Sequence, residues 1–390
     1  MSRRAVRAKS PRGGALLRRV GLLAVLSLAP LVLVAAAFAL YVYAGVRAGG
    51  DAPVGTLAGL GVSAPVRIER DARGIPHVRA RNERDLFFAE GYLQGVDRRF
   101  QLDIYERAVA GRLSEILGSS TLEADAAART CDVRAIARAQ LALLPASERA
   151  NLDAFANGVN AATRTRPLAP EFRVLAYRPD AWTAEDSLVS SFATVLALTD
   201  TWDDVASRVA VASAVGPNAA NAFFGITDPA YDAPTTGGRP APVATLPPLG
   251  AIPYPAATPL GRVALDARAG SGSNDFVAGA ALTSTRRALL ANDPHLELRI
   301  PGVWWLVDLE APGIHVAGAT FAGVPGVILG HNAHLAWGAT NGTVATVSVY
   351  RERFKSATSD EYLANGAWRR AEHRSETIGV RLGAPVVRDY

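Results

Sequence analysis

The sequence predicts an α+β protein, a helical half followed by a strand-rich half, behind an N-terminal helix that spans a membrane. Three observations carry this expectation. Between about Glu83 and Val195 apolar residues recur at three- and four-residue spacing, the mark of helices packed by one face. After Ser273 the pattern changes to short apolar or alternating runs, separated by turn dipeptides such as Pro312-Gly313, Pro325-Gly326 and Asn341-Gly342. Ahead of both halves stands an uncharged apolar run from Val20 to Val46. With 49% hydrophobic and 20% charged residues among 390, the chain can bury at least one large core and form two or three structural units.

The first segment, residues 1–19, is a basic tail containing Arg3, Arg4, Arg7, Lys9, Arg12, Arg18 and Arg19. The run that follows, 20–46, is long enough to cross a hydrocarbon core of roughly 30 Å as a helix, and Pro30 is tolerable inside it. Cations on its N-terminal side belong in the cytoplasm, so residues 47 onward face outward, into a periplasm or onto a cell surface. A cleavable signal peptide, leaving a secreted protein, is the rival reading, because Ala35-Ala36-Ala37 offers small residues to a peptidase. The run exceeds the usual apolar core of a signal peptide, about 7–15 residues, which favours an uncleaved signal anchor.

The formal charge of +5 arises in this tail. Residues 1–50 hold eight of the 41 Arg and Lys and no acid, so the rest sets 33 cations against 36 acids. A near-neutral body gives nucleic-acid binding no electrostatic basis. Cys131 is alone, makes no internal disulfide, and is expected to be a small packed residue.

Residues 51–234 form the helical region. Val66 to Arg70 and Ile75 to Val78 read as short strands around the turn Asp71-Ala72-Arg73-Gly74. A long helix is expected from Glu83, with Leu86, Ala89, Leu93, Val96, Phe100 and Ile104 on its apolar side and Gly118 as its stop. Val133, Ile136 and Ala137 form a second stripe. Leu152, Phe155 and Val159 form a third, after a cap at Ser147. Thr183-Ala184-Glu185-Asp186 resembles a capping box that opens a further helix through Phe192 and Val195.

Between 235 and 272 the composition shifts to Pro, Ala, Gly and Thr, which cannot bury a core and predicts an exposed spacer or linker. Residues 273–390 then carry the strand runs, at Phe276-Val277, Ala288 to Leu290, Val303 to Leu309, Ile314 to Val316, Val327 to Leu329 and Val344 to Tyr350. They predict a meander of paired strands.

At the junction lies Gly270-Ser271-Gly272-Ser273-Asn274-Asp275. Alone, a Gly/Ser run reads as a linker. If the Gly272-Ser273 bond is cut, however, Ser273 gains a free α-amine with a reference pKa of about 7.7–8.0, partly neutral at physiological pH and able to take the hydroxyl proton. One residue would then be nucleophile and base.

Several blocks in order give this possibility weight. Downstream stand Ser273-Asn274, Leu290-Ala291-Asn292-Asp293-Pro294-His295, Gly323-Val324-Pro325-Gly326, Gly330-His331-Asn332 and Leu335 to Gly342. Upstream stand Arg70-Asp71 with Gly74 to His77, Asp85 to Tyr92, Asp97-Arg98, Ala110 to Glu115, Glu171-Phe172 and Trp182 to Asp186. Together they resemble the β- and α-subunits of penicillin acylases, over roughly residues 60–350. That family includes relatives that cleave cephalosporin side chains and acyl-homoserine lactones.

The resemblance implies an N-terminal-nucleophile hydrolase with an αββα sandwich, made as an exported precursor that processes itself into two associated fragments, α and β. It implies that Ser273 is the new N-terminus and the acyl-accepting nucleophile, with Gly272 on the other side of the cut. Asn341 falls where the family supplies a backbone N–H to the oxyanion hole, and Asn341-Gly342 also reads as a plain turn. His295 matches a histidine that some relatives place beside the nucleophile, to orient its amine or hydroxyl; a packed core histidine is the other reading. Leu296 and Leu329 match positions that line the acyl pocket, and being aliphatic they suit an alkyl chain at least as well as a phenylacetyl group. Ala345 and Ser348 stand where some members carry calcium-binding aspartates, so no metal and no cofactor is expected. The family takes a second oxyanion donor, an Asn side chain, and an Arg from further downstream, so the chain is expected to be a truncated precursor.

Other chemistries find no support in the residues. A G-x-S-x-G elbow fails at Ser271 and Asp275, and no P-loop or dinucleotide fingerprint occurs. His331 and His334 are three apart with no carboxylate or Cys to complete a metal set. The expected function is therefore a membrane-anchored, self-processing amidohydrolase acting on a small-molecule N-acyl substrate. A non-catalytic surface-binding module that keeps the fold is the alternative.

Overall fold

The structure, a computed structural model, describes residues 12–49, 55–199, 202–223, 272–296, 298–340, 350 and 352–390. The proline-rich spacer, Asn341 and the strand expected from Val344 lie outside the described residues, apart from Tyr350. Helices fill the first part: α1 (Arg12–Gly49), α2 (Glu83–Ala110), α3 (Ser114–Leu117), α4 (Leu122–Thr130), α5 (Val133–Leu143), α6 (Ala146–Thr165), α7 (Pro170–Val174), α8 (Ala184–Thr199), α9 (Trp202–Val215) and α10 (Pro217–Phe223). Two strands, β1 (Arg67–Arg70) and β2 (Pro76–Arg79), precede α2. The remainder follow Gly272: β3 (Gly272–Ala278), β4 (Leu289–His295), β5 (Trp304–Ala311), β6 (Ile314–Phe321), β7 (Leu329–Asn332), β8 (Ala336–Trp337), β9 (Glu361–Ala364), β10 (Ala367–Arg370), β11 (Ser375–Ile378) and β12 (Val386–Asp389).

The chain divides into two compact units, Met1–Ala58 with Thr165–Pro179 and Gly59–Arg164 with Asp180–Tyr390. In the first, α1 carries the stretch Leu28–Arg47, with a mean hydropathy of 2.1 and almost no burial. By length and composition it is able to cross a membrane.

In the second unit α2 is the organiser. Asn82 caps it, its side chain accepting from the Asp85 N–H at 2.8 Å, and Glu83 and Asp85 sit in the first turn where the helix dipole favours acids. It ends at Gly111 (φ 67°), whose N–H returns to the Arg107 carbonyl. The expected stop, Gly118, instead closes the short α3. The reason is tertiary: a Cβ at Gly111 would lie 2.5 Å from the Asp125 carbonyl, so α4 packs where only glycine fits.

Three sides of α2 are covered. Leu86, Ala89 and Leu93 meet Val78, Trp305, Val307, Leu309 and Ala311 from one sheet face. On another side α6 crosses so closely that a Cβ on Gly91 would be 2.0 Å from the Phe155 carbonyl, and one on Gly158 2.0 Å from the Phe88 carbonyl. Phe155 and Val159 are fully buried there with Leu102. Toward α5 and α8, Val109 packs with Val133, Ala137 and Val189. Each large apolar side chain so buried contributes about 1.5–3 kcal/mol.

Polar residues on the enclosed helix are paired. Arg107 bonds Asp103 (2.9 Å), Glu115 (2.6 Å) and Asp180 (3.0 Å). Glu106 pairs with Arg134, which also reaches Glu185 at 2.9 Å and Asp186 at 3.0 Å. Burial nonetheless pushes the Glu106 carboxyl up, to about 7.

The main sheet has the order β1-β2-β5-β6-β7-β8. It is not only the expected meander, because β2 joins it in parallel, His77 opposite Asp308. Val78 is what draws the first hairpin in, buried against Leu309 in the common core. The Asp71–Gly74 turn forms as expected, Gly74 N–H to the Asp71 carbonyl at 2.9 Å. Thr183 and Asp186 make the reciprocal capping box, the Asp186 N–H donating to Thr183 Oγ1 at 3.2 Å and the Thr183 N–H to Asp186 Oδ2 at 2.8 Å. Three expectations are corrected. Ser147 lies inside α6, which begins at Ala146, Ile136 is 42% exposed on α5, and Cys131 is exposed at the end of α4 instead of packed.

Candidate functional site

The junction residues form an antiparallel hairpin. In β3 and β4, Gly272 stands opposite His295, Ser273 opposite Pro294 and Asn274 opposite Asp293. Ser273 is half-buried, whereas Asn274, Asp275, Phe276 and Val277 are exposed. Pro294 lacks an N–H, and its carbonyl accepts from the Leu296 N–H (3.1 Å) and from Trp304 Nε1 (3.3 Å), which ends β4 and turns the chain.

His295 lies directly over Gly272. Its Nδ1 is 3.0 Å from the Asp293 carbonyl and 3.5 Å from Asp293 Oδ2. A carbonyl only accepts, so the Nδ1 proton is fixed there and, in the neutral ring, Nε2 carries the lone pair. Nε2 is the ring atom nearest Gly272, 2.7 Å from the point a Cβ would occupy. Any larger residue before Ser273 would have to displace the imidazole.

Asn341 lies outside the described residues, but the segment leading to it is held to the hairpin. Asn292 on β4 donates from Nδ2 to the carbonyls of Asn274 and Ala339, both at 3.1 Å, and accepts from the Ala339 N–H at 3.3 Å. The residue after Ser273 and the residue two before Asn341 thus share one side-chain amide. Gly338 fits closely as well, since a Cβ there would be 2.7 Å from the Asn292 side chain and 2.9 Å from Asp275 Oδ2. In the sequence Asn292 stands only as one member of the block Leu290 to His295. Its bridging role had no local signal.

Leu296 is half-buried in an apolar cluster with Val303, Phe321, Trp304, Val324 and Ile328, in which the Trp304 and Phe321 rings stack at 4.3 Å. Leu329 begins β7 opposite Ala319, and the residue of that turn packed into the cluster is its predecessor, Ile328. The apolar wall near the hairpin is therefore broader than the two leucines expected from the sequence. The turn Gly323–Gly326 ahead of Ile328 is bonded from α2 by Glu90 and Gln94, whose only signal in the sequence is two polar side chains four apart inside a buried stripe. Among the described residues no group of three or more His, Cys, Asp or Glu is arranged to hold a metal ion.

Comparison with known proteins shows the family of the chain. Over 348 residues the chain is 30% identical to the penicillin acylase 2 proenzyme of Pseudomonas sp. (strain SE83), covering 85% of this chain and 43% of that protein. It is 30% identical over 333 residues to the acyl-homoserine lactone acylase QuiP of Pseudomonas aeruginosa, covering 84% of this chain and 39% of that one. A solved thermostable penicillin G acylase from Alcaligenes faecalis aligns at 27% identity over 45% of this chain and 98% of its own, with a TM-score of 0.37, too low to speak for shared architecture. The chain thus spans about two fifths of the length of these two relatives. The model of the penicillin amidase family matches residues 65–390, and the chain belongs to that family.

Proposed function

We propose that the chain is part of a self-processing acylase that hydrolyses a carboxamide, releasing a carboxylic acid and an amine, with Ser273 as its N-terminal nucleophile. In processing, Ser273 Oγ attacks the Gly272 carbonyl, the C–N bond breaks as the nitrogen takes a proton, and water hydrolyses the resulting ester. Ser273 is left with a free α-amine. In turnover that α-amine accepts the Oγ proton, Oγ attacks the substrate amide carbon, the α-ammonium returns the proton to the substrate nitrogen as the C–N bond breaks and the substrate amine leaves, and water releases the acid from the acyl-enzyme. The backbone N–H of Asn341 would bind the oxyanion, an interaction typically worth about 2.7–4 kcal/mol in the transition state. His295 would orient the reacting groups. The fold would be the two-sheet αββα sandwich.

The observation that carries this reading is the register of the hairpin inside a family match. It sets the Gly272–Ser273 bond against His295 and, through Asn292, beside the approach to Asn341. The relatives are named for penicillins and for acyl-homoserine lactones, both N-acyl compounds. The apolar wall around Leu296, made of Val303, Val324 and Ile328 with the stacked Trp304 and Phe321 rings, suits an alkyl acyl group at least as well as a phenylacetyl group. Residues 51–234 would become the α fragment, 235–272 the spacer and 273 onward the β fragment. The apolar run of α1, with cations ahead of it, would anchor the protein with its catalytic part outside the cytoplasmic membrane; cleavage as a signal peptide would leave it secreted.

The test is full-length wild type beside Ser273→Ala. Two fragments from the first and one from the second support the reading, and a panel of chromogenic amides then measures turnover. A wild-type chain that stays whole favours the non-catalytic membrane-anchored binding module.

A further inference from the structure

The turn Gly323–Gly326, which joins β6 to β7, sits in a polar socket built by the helical half. Gln94 is fully buried on α2; its Oε1 accepts from the Gly323 N–H at 2.8 Å and its Nε2 donates to the Val324 carbonyl at 3.2 Å. One turn earlier Glu90, also fully buried, accepts the Gly326 N–H at 3.0 Å on both oxygens. Thr320 Oγ1 reinforces the Val324 carbonyl at 2.9 Å. Gly323 has φ +90°, and a Cβ on it would be 2.9 Å from Ser190 Oγ and 3.0 Å from the Trp182 ring, so the turn is seated with no room to shift.

This turn carries the wall described above. Val324 inside it and Ile328 just after it are the side chains it sends to pack with Leu296 against Val303 and Phe321. An apolar pair on α2 would have packed the helix onto the sheet equally well. Two polar side chains that bond three successive parts of one backbone turn instead determine where that backbone lies.

We propose that Glu90 and Gln94 are positioning residues that set the depth of the acyl pocket by holding the Gly323–Gly326 turn, and thereby set the acyl chain length accepted. The inference rests on the acylase reading. After cleavage the socket lies on the α side of Gly272 and the turn on the β side, so the control of chain length is exerted by one fragment on the other.

The test uses full-length, processed protein and two substrates, butanoyl and dodecanoyl p-nitroanilide. Gln94→Leu, which keeps the volume and removes both hydrogen bonds, is expected to raise KM for the dodecanoyl substrate about tenfold while the butanoyl KM and both kcat values change little. Gln94→Glu, which keeps the acceptor for Gly323, should fall between wild type and Gln94→Leu, and it carries the test alone if Gln94→Leu yields no processed protein. Equal changes for both chain lengths, or none, in a variant that folds would overturn the inference while leaving the acylase reading intact. Wild-type inactivity on both substrates, and on the amide panel, would overturn the acylase reading and the inference with it.

Discussion

The α2 helix and the β3–β4 hairpin meet opposite demands within one compact unit. On α2, seventeen of 28 residues are buried, and among them Asp103, Glu106 and Arg107 are ion-paired. On β3 the middle residues Asn274 to Val277 are exposed on both faces and only the ends are half-buried, and the hairpin is a two-stranded sheet of its own. A lone two-stranded hairpin is marginally stable in water. It is held by Asn292 and Trp304 at the end where Ser273 lies. The lesson is that stability and chemistry are assigned to different places: the helix resists change so that a backbone bond on the hairpin can remain approachable.

Breaking the helix side should have the largest effect. Phe155→Ala, at a fully buried site against Gly91, is expected to cost about 3–5 kcal/mol, read as a lower urea midpoint at constant slope. Next comes pH. Burial raises the Glu90 carboxyl to about 8 from an ordinary value of 4.5, so the folded protein holds a proton that the unfolded chain has lost. The stabilisation is complete below about pH 4.5, falls as pH rises, and levels off above about 8. Glu90→Gln should flatten that part of the profile in denaturation measured across pH. Glu106, raised to about 7, adds a slope of the same sign that ends lower.

Asn82→Ala, which removes the α2 cap, should cost about 1 kcal/mol and leave the rate of chain cleavage unchanged. Asn292→Ala sharpens the contrast from the other side. Its hydrogen bonds are exposed, so the stability cost should be at most about 0.5–1 kcal/mol, yet cleavage followed by gel over time should slow clearly. Equal behaviour of the two asparagine variants in the cleavage assay would erase the distinction between the regions.

Where a signal is local, the sequence was readable. The start of α2 at Glu83, the Thr183–Asp186 box and the Pro312-Gly313 tip between β5 and β6 each follow from a few adjacent residues. Where the cause is a distant partner, it was not. Nothing near His77 announces a parallel pairing with Asp308, and nothing near Gly111 says that α4 will close over it before Gly118 is reached. The candidate site divides in the same way. Ser273, His295 and Leu296 stand as candidates through motif blocks and Leu329 adjoins the cluster residue Ile328, whereas the Asn292 bridge and the Glu90–Gln94 socket exist only through contacts with residues far away in the chain. Cys131 shows the limit of composition, since a lone apolar thiol reads as packed until its neighbours are known.

The central claim is that the bond before Ser273 is broken by Ser273 itself. N-terminal sequencing with intact mass of purified full-length protein tests it most directly. The account predicts a fragment beginning Ser-Asn-Asp-Phe in wild type and a single uncut chain in Ser273→Ala. A wild-type protein with no such fragment, or a Ser273→Ala variant cut at the same bond, would contradict it.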